Sequence, residues 1–212
     1  MKKGWFITFE GPDGSGKTTV STAVTKKLQE AGYDTVYTRE PGGIDIAEQI
    51  RSVILDPANT AMDSKTEALL YAAARRQHLV EKVLPALAEG KLVICDRFVD
   101  SSLAYQGVGR GLGMDEVLSI NEFAIEGHTP DKTLYLDIDP QTGLDRIQGR
   151  ENKDRLDQEK IEFHNKVCEG YRMVRERFSD RIIVIDASRQ PEQVIENCVE
   201  VITALVGHDD RR

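Results

Sequence analysis

Residues 5–18 read WFITFEGPDGSGKT. The first six form an apolar run of strand length, and the last eight are a complete G-x-x-x-x-G-K-T. Behind them Val20, Ala23, Val24, Leu28 and Ala31 fall at helical spacing. A strand, a glycine-rich turn and a helix in that order make a phosphate-binding loop. The glycines let successive backbone N–H groups face one anion, and the helix N-terminus adds its positive dipole. Gly11, Pro12, Asp13, Gly14, Ser15, Gly16, Lys17 and Thr18 are therefore expected to bind ATP phosphates. Lys17 reaches the outer phosphates, and the Thr18 hydroxyl is a ligand for Mg²⁺. The dinucleotide fingerprint is not met, because no third glycine falls at the required spacing, which argues against nicotinamide chemistry.

Four more apolar runs follow: TVYTRE at 35–40, KLVICD at 91–96, TLYLDID at 133–139 and RIIVIDA at 181–187. Helical periods separate them, and Gly32, Gly90 and Gly127 stand where helices are expected to end. Continuous apolar strands alternating with amphipathic helices predict an α/β fold with a five-stranded parallel sheet covered on both faces. One domain over 1–212 accounts for the chain, with no repeat or linker. The composition is 40% hydrophobic and 30% charged with a net charge of −8, which speaks against a binder of nucleic-acid polymers. No apolar stretch approaches a membrane span. Cys95, Cys168 and Cys198 read as reduced core residues of a cytoplasmic protein.

Ligands of such sheets sit at the carboxyl ends of the strands. Glu10, Arg39–Glu40, Asp96–Arg97 and Asp137 end four of these runs. DRFVDSSLAYQG at 96–107 is unlike an ordinary turn, with its arginine, serines, tyrosine and glutamine. TREPGG at 38–43 places Arg39 at the rim of a sharp turn, and Arg51 follows on the next helix. Tyr71 and Arg75 share a helical face. Arg39, Arg51, Arg75 and Arg97 are expected to converge on an anionic acceptor, since a guanidinium fork suits phosphate. Arg146, Arg150, Lys153 and Arg155 lie in a charged segment, and 141–158 is expected to be a lid that brings arginines to the transferred group. An N-K-x-D guanine-reading motif is missing, which argues against a GTPase. Phosphoryl transfer to a small acceptor remains. The alternatives are another nucleotide or nucleoside kinase, or an ATP-binding regulatory protein without chemistry; acceptor-dependent ADP release separates the last from the rest.

FEGPDGSGKTT at 9–19, TREPGG at 38–43, YAAARR at 71–76, DRFVDSSLAYQG at 96–107 and RLDQE at 155–159 together resemble the bacterial thymidylate kinase family. The likeness runs from about residue 5 to 205. It implies a P-loop nucleoside monophosphate kinase fold, transfer from Mg²⁺-ATP to dTMP on the route to dTTP, and a homodimer. By the same resemblance Arg39 and Arg97 handle the acceptor phosphate, Tyr71 stacks on thymine, and Arg75 reads its carbonyl edge. Ser102 and Gln106 read the base, Tyr105 crowds the place of a ribose 2′-hydroxyl, and Asp13 meets the sugar or metal side. Tyr71 departs mildly from the phenylalanine common in the family. Gly14 stands where some members carry a basic residue, which points to the subtype with catalytic arginines in the lid, here Arg146, Arg150 and Arg155. Lys17 and Arg97 complete the expected catalytic charges, with Mg²⁺ held by Thr18 and, through water, by Asp13 or Asp96.

Overall fold

The computed structural model describes residues 4–148 and 154–207. All five apolar runs are strands: β1 (Trp5–Glu10), β2 (Thr35–Arg39), β3 (Leu92–Asp96), β4 (Lys132–Asp137) and β5 (Ile182–Asp186). Every pairing is parallel, in the order β2-β3-β1-β4-β5. From the central β1 the chain runs out to the edge strand β2, returns to β3 and then crosses β1 to reach β4, so the loop after β1 opens at a switch in strand order, where α/β sheets bind ligands.

Alternation along the strands sends side chains to two helical layers. Ile7, Phe9, Ile94 and Leu134 pack on Val20, Val24 and Leu28 of α1 (Lys17–Glu30) and on Cys198 and Ile202 of α9 (Pro191–Gly207). Phe6, Val93 and Cys95 pack on the other face, against Leu79, Val83, Phe98 and Leu103, Val117 and Ile125 of α6 (Met114–Ile125), and Val174 of α8 (Ile161–Arg177). Burying each large apolar side chain contributes about 1.5–3 kcal/mol. Of the cysteines, Cys95 and Cys198 are core residues, but Cys168, on α8, is only half-buried.

After β2 come α2 (Asp45–Leu55) and α3 (Ser64–His78), the latter capped by the Asp63 carboxylate, which accepts from Lys65 and Thr66 N–H at 3.0 and 3.2 Å. A π-turn, Leu79–Val83, carries α3 on into α4 (Leu84–Ala88). The polar stretch after β3 is itself helical: α5 (Val99–Ser102) runs into a second π-turn, Leu103–Gly109. Wide turns of this kind recur at functional sites. This one lets Val99, Leu103 and Ala104 enter the core while Ser101, Ser102, Tyr105 and Gln106 line a cleft. Between β4 and α8 lies α7 (Pro140–Gln148). Arg150 and Lys153 fall outside the described residues.

Candidate active site

The phosphate loop joins β1 to α1. Gly11, Gly14 and Gly16 have φ of 148°, 80° and 85°, conformations that admit glycine readily. α1 starts at Gly16 with no side-chain cap, leaving its first N–H groups for an anion. Lys17 Nζ lies inside the loop and donates to the carbonyls of Gly11 and Pro12 at 2.9 and 2.8 Å, and to Ser15 Oγ at 3.3 Å. Burial, with Arg97 nearby, pushes its pKa down to about 7. Thr18 Oγ1 donates to Asp96 Oδ2 at 2.6 Å, and the buried Asp96 Oδ1 has no hydrogen-bond partner among the described residues. A hydroxyl and an under-used carboxylate at the β1–β3 end are hard oxygen donors, a set that fits Mg²⁺.

Beside the loop opens a cleft. Its lining includes Asp13, Arg51, Tyr71, Arg75, Arg97, Ser102, Tyr105 and Gln106, eight of the nine acceptor residues read from the sequence. Arg39 is the ninth and is not in the lining. Its Nη2 donates to Glu48 Oε1 at 2.8 Å, because α2 brings that carboxylate across the TREPGG turn. Arg51 donates to the Pro41 carbonyl at 2.9 Å, and burial, with Arg39 beside it, lowers its pKa.

Arg97 is the centre of the cleft. Its φ of 71° is a left-handed conformation that a non-glycine residue holds only under constraint. The constraint is visible: its N–H bonds Phe9 O at 2.9 Å, while Nη1 donates to Ser101 Oγ and Tyr171 OH at 3.0 and 3.2 Å. Nη2 is paired with Asp13 Oδ1, and Tyr105 OH donates to Asp13 Oδ2 at 2.6 Å. The Asp13 carboxylate is thus engaged on the acceptor side. Tyr105 does more than fill space: its hydroxyl closes the Asp13–Arg97 clamp, and its ring lies under the Arg97 guanidinium at 5.2 Å.

Arg75 is almost wholly buried. Nε pairs with Glu40 Oε2 at 2.7 Å, Nη1 meets Ser102 Oγ at 3.1 Å and Asn121 Oδ1, and Nη2 donates to Phe98 O at 3.0 Å. His78 joins Glu40 at 2.9 Å to Thr38 at 2.6 Å and braces the pair. Glu40 was read at the ligand edge but given no role, and His78, Asn121 and Glu67 were missed in the sequence. The Glu67 carboxylate accepts from Gln106 Nε2 at 2.8 Å, from Arg110 Nη2 at 3.0 Å and from Arg155 Nη2 at 2.5 Å. Arg155 also donates to Ile54 O at 2.7 Å. Its guanidinium is therefore held in a buried ion pair with α3 in this structure. Arg146 does reach the loop, with Nη1 at 3.0 Å from Gly14 O.

Glu10, read at the ligand edge without a role, proves to be central. Its carboxylate, buried at the end of β1, accepts from Phe98 N–H and Ser101 Oγ at 2.7 and 2.6 Å and from Tyr171 OH at 2.9 Å. It holds two of the partners of Arg97. Burial and the charge of Asp100 push its pKa up to about 7, against the pull of Arg97. A raised carboxylate pKa means the folded state binds the proton more tightly. The resulting stability is fully present below the ordinary value of 4.5 and is lost as pH rises through about 7. Glu10→Gln keeps the shape and removes the titration. Scanning calorimetry is expected to show a smaller fall in Tm between about pH 5 and 8 for this variant. Parallel Tm curves for parent and variant would contradict the assignment.

A phosphate loop, a buried arginine clamp and a polar cleft on one parallel sheet define a nucleotide kinase of the P-loop class. The thymidylate kinase family profile matches residues 9–198. The thymidylate kinase of Geobacillus sp. (strain WCH70) is 59% identical over 94% of this chain and 96% of its own length. That of Bacillus velezensis is 61% identical over 94% and 95%. The crystal structure of thymidylate kinase from Ehrlichia chaffeensis superposes with a TM-score of 0.78 at 33% identity, covering 95% of this chain and 99% of that one. The chain belongs to the thymidylate kinase family.

Proposed function

We infer that this enzyme transfers the γ-phosphoryl group of ATP to dTMP, giving dTDP and ADP. The observation that carries the reading is Asp13. Its backbone is part of the donor-phosphate loop, and its carboxylate holds Arg97 and Tyr105 in the adjoining cleft. Donor and acceptor sites therefore meet at one residue. A dTMP phosphate is already ionised, so transfer needs no strong general base; positioning and charge stabilisation suffice. Lys17 leaves its loop carbonyls for the outer phosphates, while Arg97 orients the acceptor phosphate. Arg146 stands at the loop for the donor side. Thr18 and Asp96 are the residues that would hold Mg²⁺, which shields phosphate charge when bound. Tyr71 supplies a stacking face, and Arg75, Ser102 and Gln106 meet the base. Segment 141–158 acts as the lid in this reading.

The test is label transfer. With γ-labelled ATP and dTMP, the label is expected in dTDP; label appearing only as inorganic phosphate would contradict the reading.

A homodimer is part of the same proposal. Phe123 on α6 is 88% exposed, and Leu69 on α3 is also exposed, so an apolar face is free to pair with a second copy. Phe123→Glu is expected to shift the protein from dimer to monomer in analytical ultracentrifugation. An unchanged sedimentation coefficient would place the interface elsewhere. Among the described residues, no helix is long and apolar enough to cross a membrane.

A further inference from the structure

α7 lies backbone to backbone against the phosphate loop. A Cβ at Gly14 would sit 2.2 Å from the Gly143 carbonyl oxygen and 2.7 Å from Gly143 Cα. From the other side, a Cβ at Gly143 would sit 2.7 Å from the Asp13 carbonyl oxygen. These separations are shorter than the 3.0 Å that real Cβ contacts respect, so neither position takes a side chain while the helix is docked. Arg146 follows Gly143 by one turn and donates to Gly14 O at 3.0 Å. Asp13, whose carbonyl faces Gly143, carries the Arg97–Tyr105 clamp on its carboxylate.

We propose that Gly143 is a positioning residue for phosphoryl transfer: its bare backbone sets the distance between α7 and the phosphate loop and so aims Arg146 at the donor phosphates. The proposal deepens the kinase reading and rests on it. It also explains why the loop has no basic residue at position 14. A side chain there and a docked α7 exclude each other, so the cation has to come from the helix. The loop is tied down by the Ser15 N–H bond to the Pro12 carbonyl at 3.2 Å and by the Asp13–Arg97 pair, whereas Gln141, Asp145 and Arg146 of α7 are exposed. A methyl group in the seam therefore moves the helix, not the loop. Misplacement of a charged group by about 1 Å costs up to about 10²-fold in rate.

The experiment compares Gly143→Ala with the parent enzyme. It reads ADP formation with dTMP at varied ATP, and equilibrium dTMP binding without ATP. The expected result is a fall in kcat/KM for ATP of about tenfold or more, with dTMP affinity within about twofold of the parent. The variant Lys26→Ala, at an exposed position on α1 with no part in the site, is expected to match the parent in both. A Gly143→Ala enzyme with kcat/KM for ATP within about twofold of the parent overturns the proposal, as does a loss confined to dTMP affinity. Gly14→Ala enters the same seam from the loop side and is expected to lose at least as much; full activity there also overturns it. dTMP-dependent ADP formation by the parent tests the kinase reading separately.

Discussion

Replacing Lys17 with alanine is expected to lower kcat by about 10³-fold or more while leaving the fold intact. The ammonium is buried in the loop, where its described partners are two carbonyls and one hydroxyl of the same loop. It contributes nothing to the core layers, and water can replace it on the carbonyls. Its value lies in the charge it brings to the outer phosphates. A charge placed in a dry, preorganised site is worth about 4 kcal/mol of transition-state stabilisation at that rate loss. Burial has driven its pKa down to about 7, and bound phosphate reverses this by supplying negative charge. ATP binding near neutral pH should therefore take up protons in the parent, and fewer in the alanine variant. Calorimetry in buffers of different ionisation enthalpy reads this directly. A variant with parent-like turnover, or with parent-like proton uptake, contradicts the role assigned to Lys17.

The second large effect is at Arg97. Arg97→Lys is expected to lower kcat/KM for dTMP by about 10²–10³-fold, with the KM for ATP changed much less. The charge survives, but the fork does not. Nη1 lies within reach of Ser101 and Tyr171 while Nη2 holds Asp13, and an ammonium on a single tip does not span both sides. The left-handed backbone at this residue is sustained by these contacts together with the Phe9 hydrogen bond. Lysine inherits the strain without the full set of contacts that offsets it. Steady-state kinetics with each substrate varied in turn separates the two constants. A kcat/KM for dTMP within about threefold of the parent would mean the clamp is structural only.

The strands and the phosphate loop were legible because their signals are local: unbroken apolar runs of strand length, and a motif with a strand before it and a helix behind it. Tyr71 and Arg75 were legible for the same reason, since helical spacing puts residues four apart on one face. The networks that hold the site were not. Tyr171 meets Glu10 across 161 residues, Arg155 meets Glu67 across 88, and Asn121 meets Arg75 across 46. No period or composition window carries such pairings. The position of Arg155 in a charged segment was visible, but its partner on α3 was not. The pairing of Arg39 with Glu48 was out of reach in the same way: the turn that positions Arg39 was readable, but its partner on α2 was not. DRFVDSSLAYQG did contain an overlooked clue. Val99, Leu103 and Ala104, all buried, recur at four- to five-residue spacing, which is a helical signal inside a stretch otherwise read as a polar turn.

The loop and the cleft form one machine for moving phosphate onto a thymine deoxynucleotide. The most direct measurement is ADP formation from Mg²⁺-ATP with dTMP, dUMP, UMP, dCMP, dGMP and dAMP, with thymidine and a no-acceptor blank beside them. Strong turnover is expected with dTMP and weaker turnover with dUMP, since one methyl group is worth about 1–3 kcal/mol. The blank is expected near zero. Equal ADP release with and without acceptor would mean an ATPase, and the roles assigned to Arg97, Arg75 and Tyr71 would be wrong.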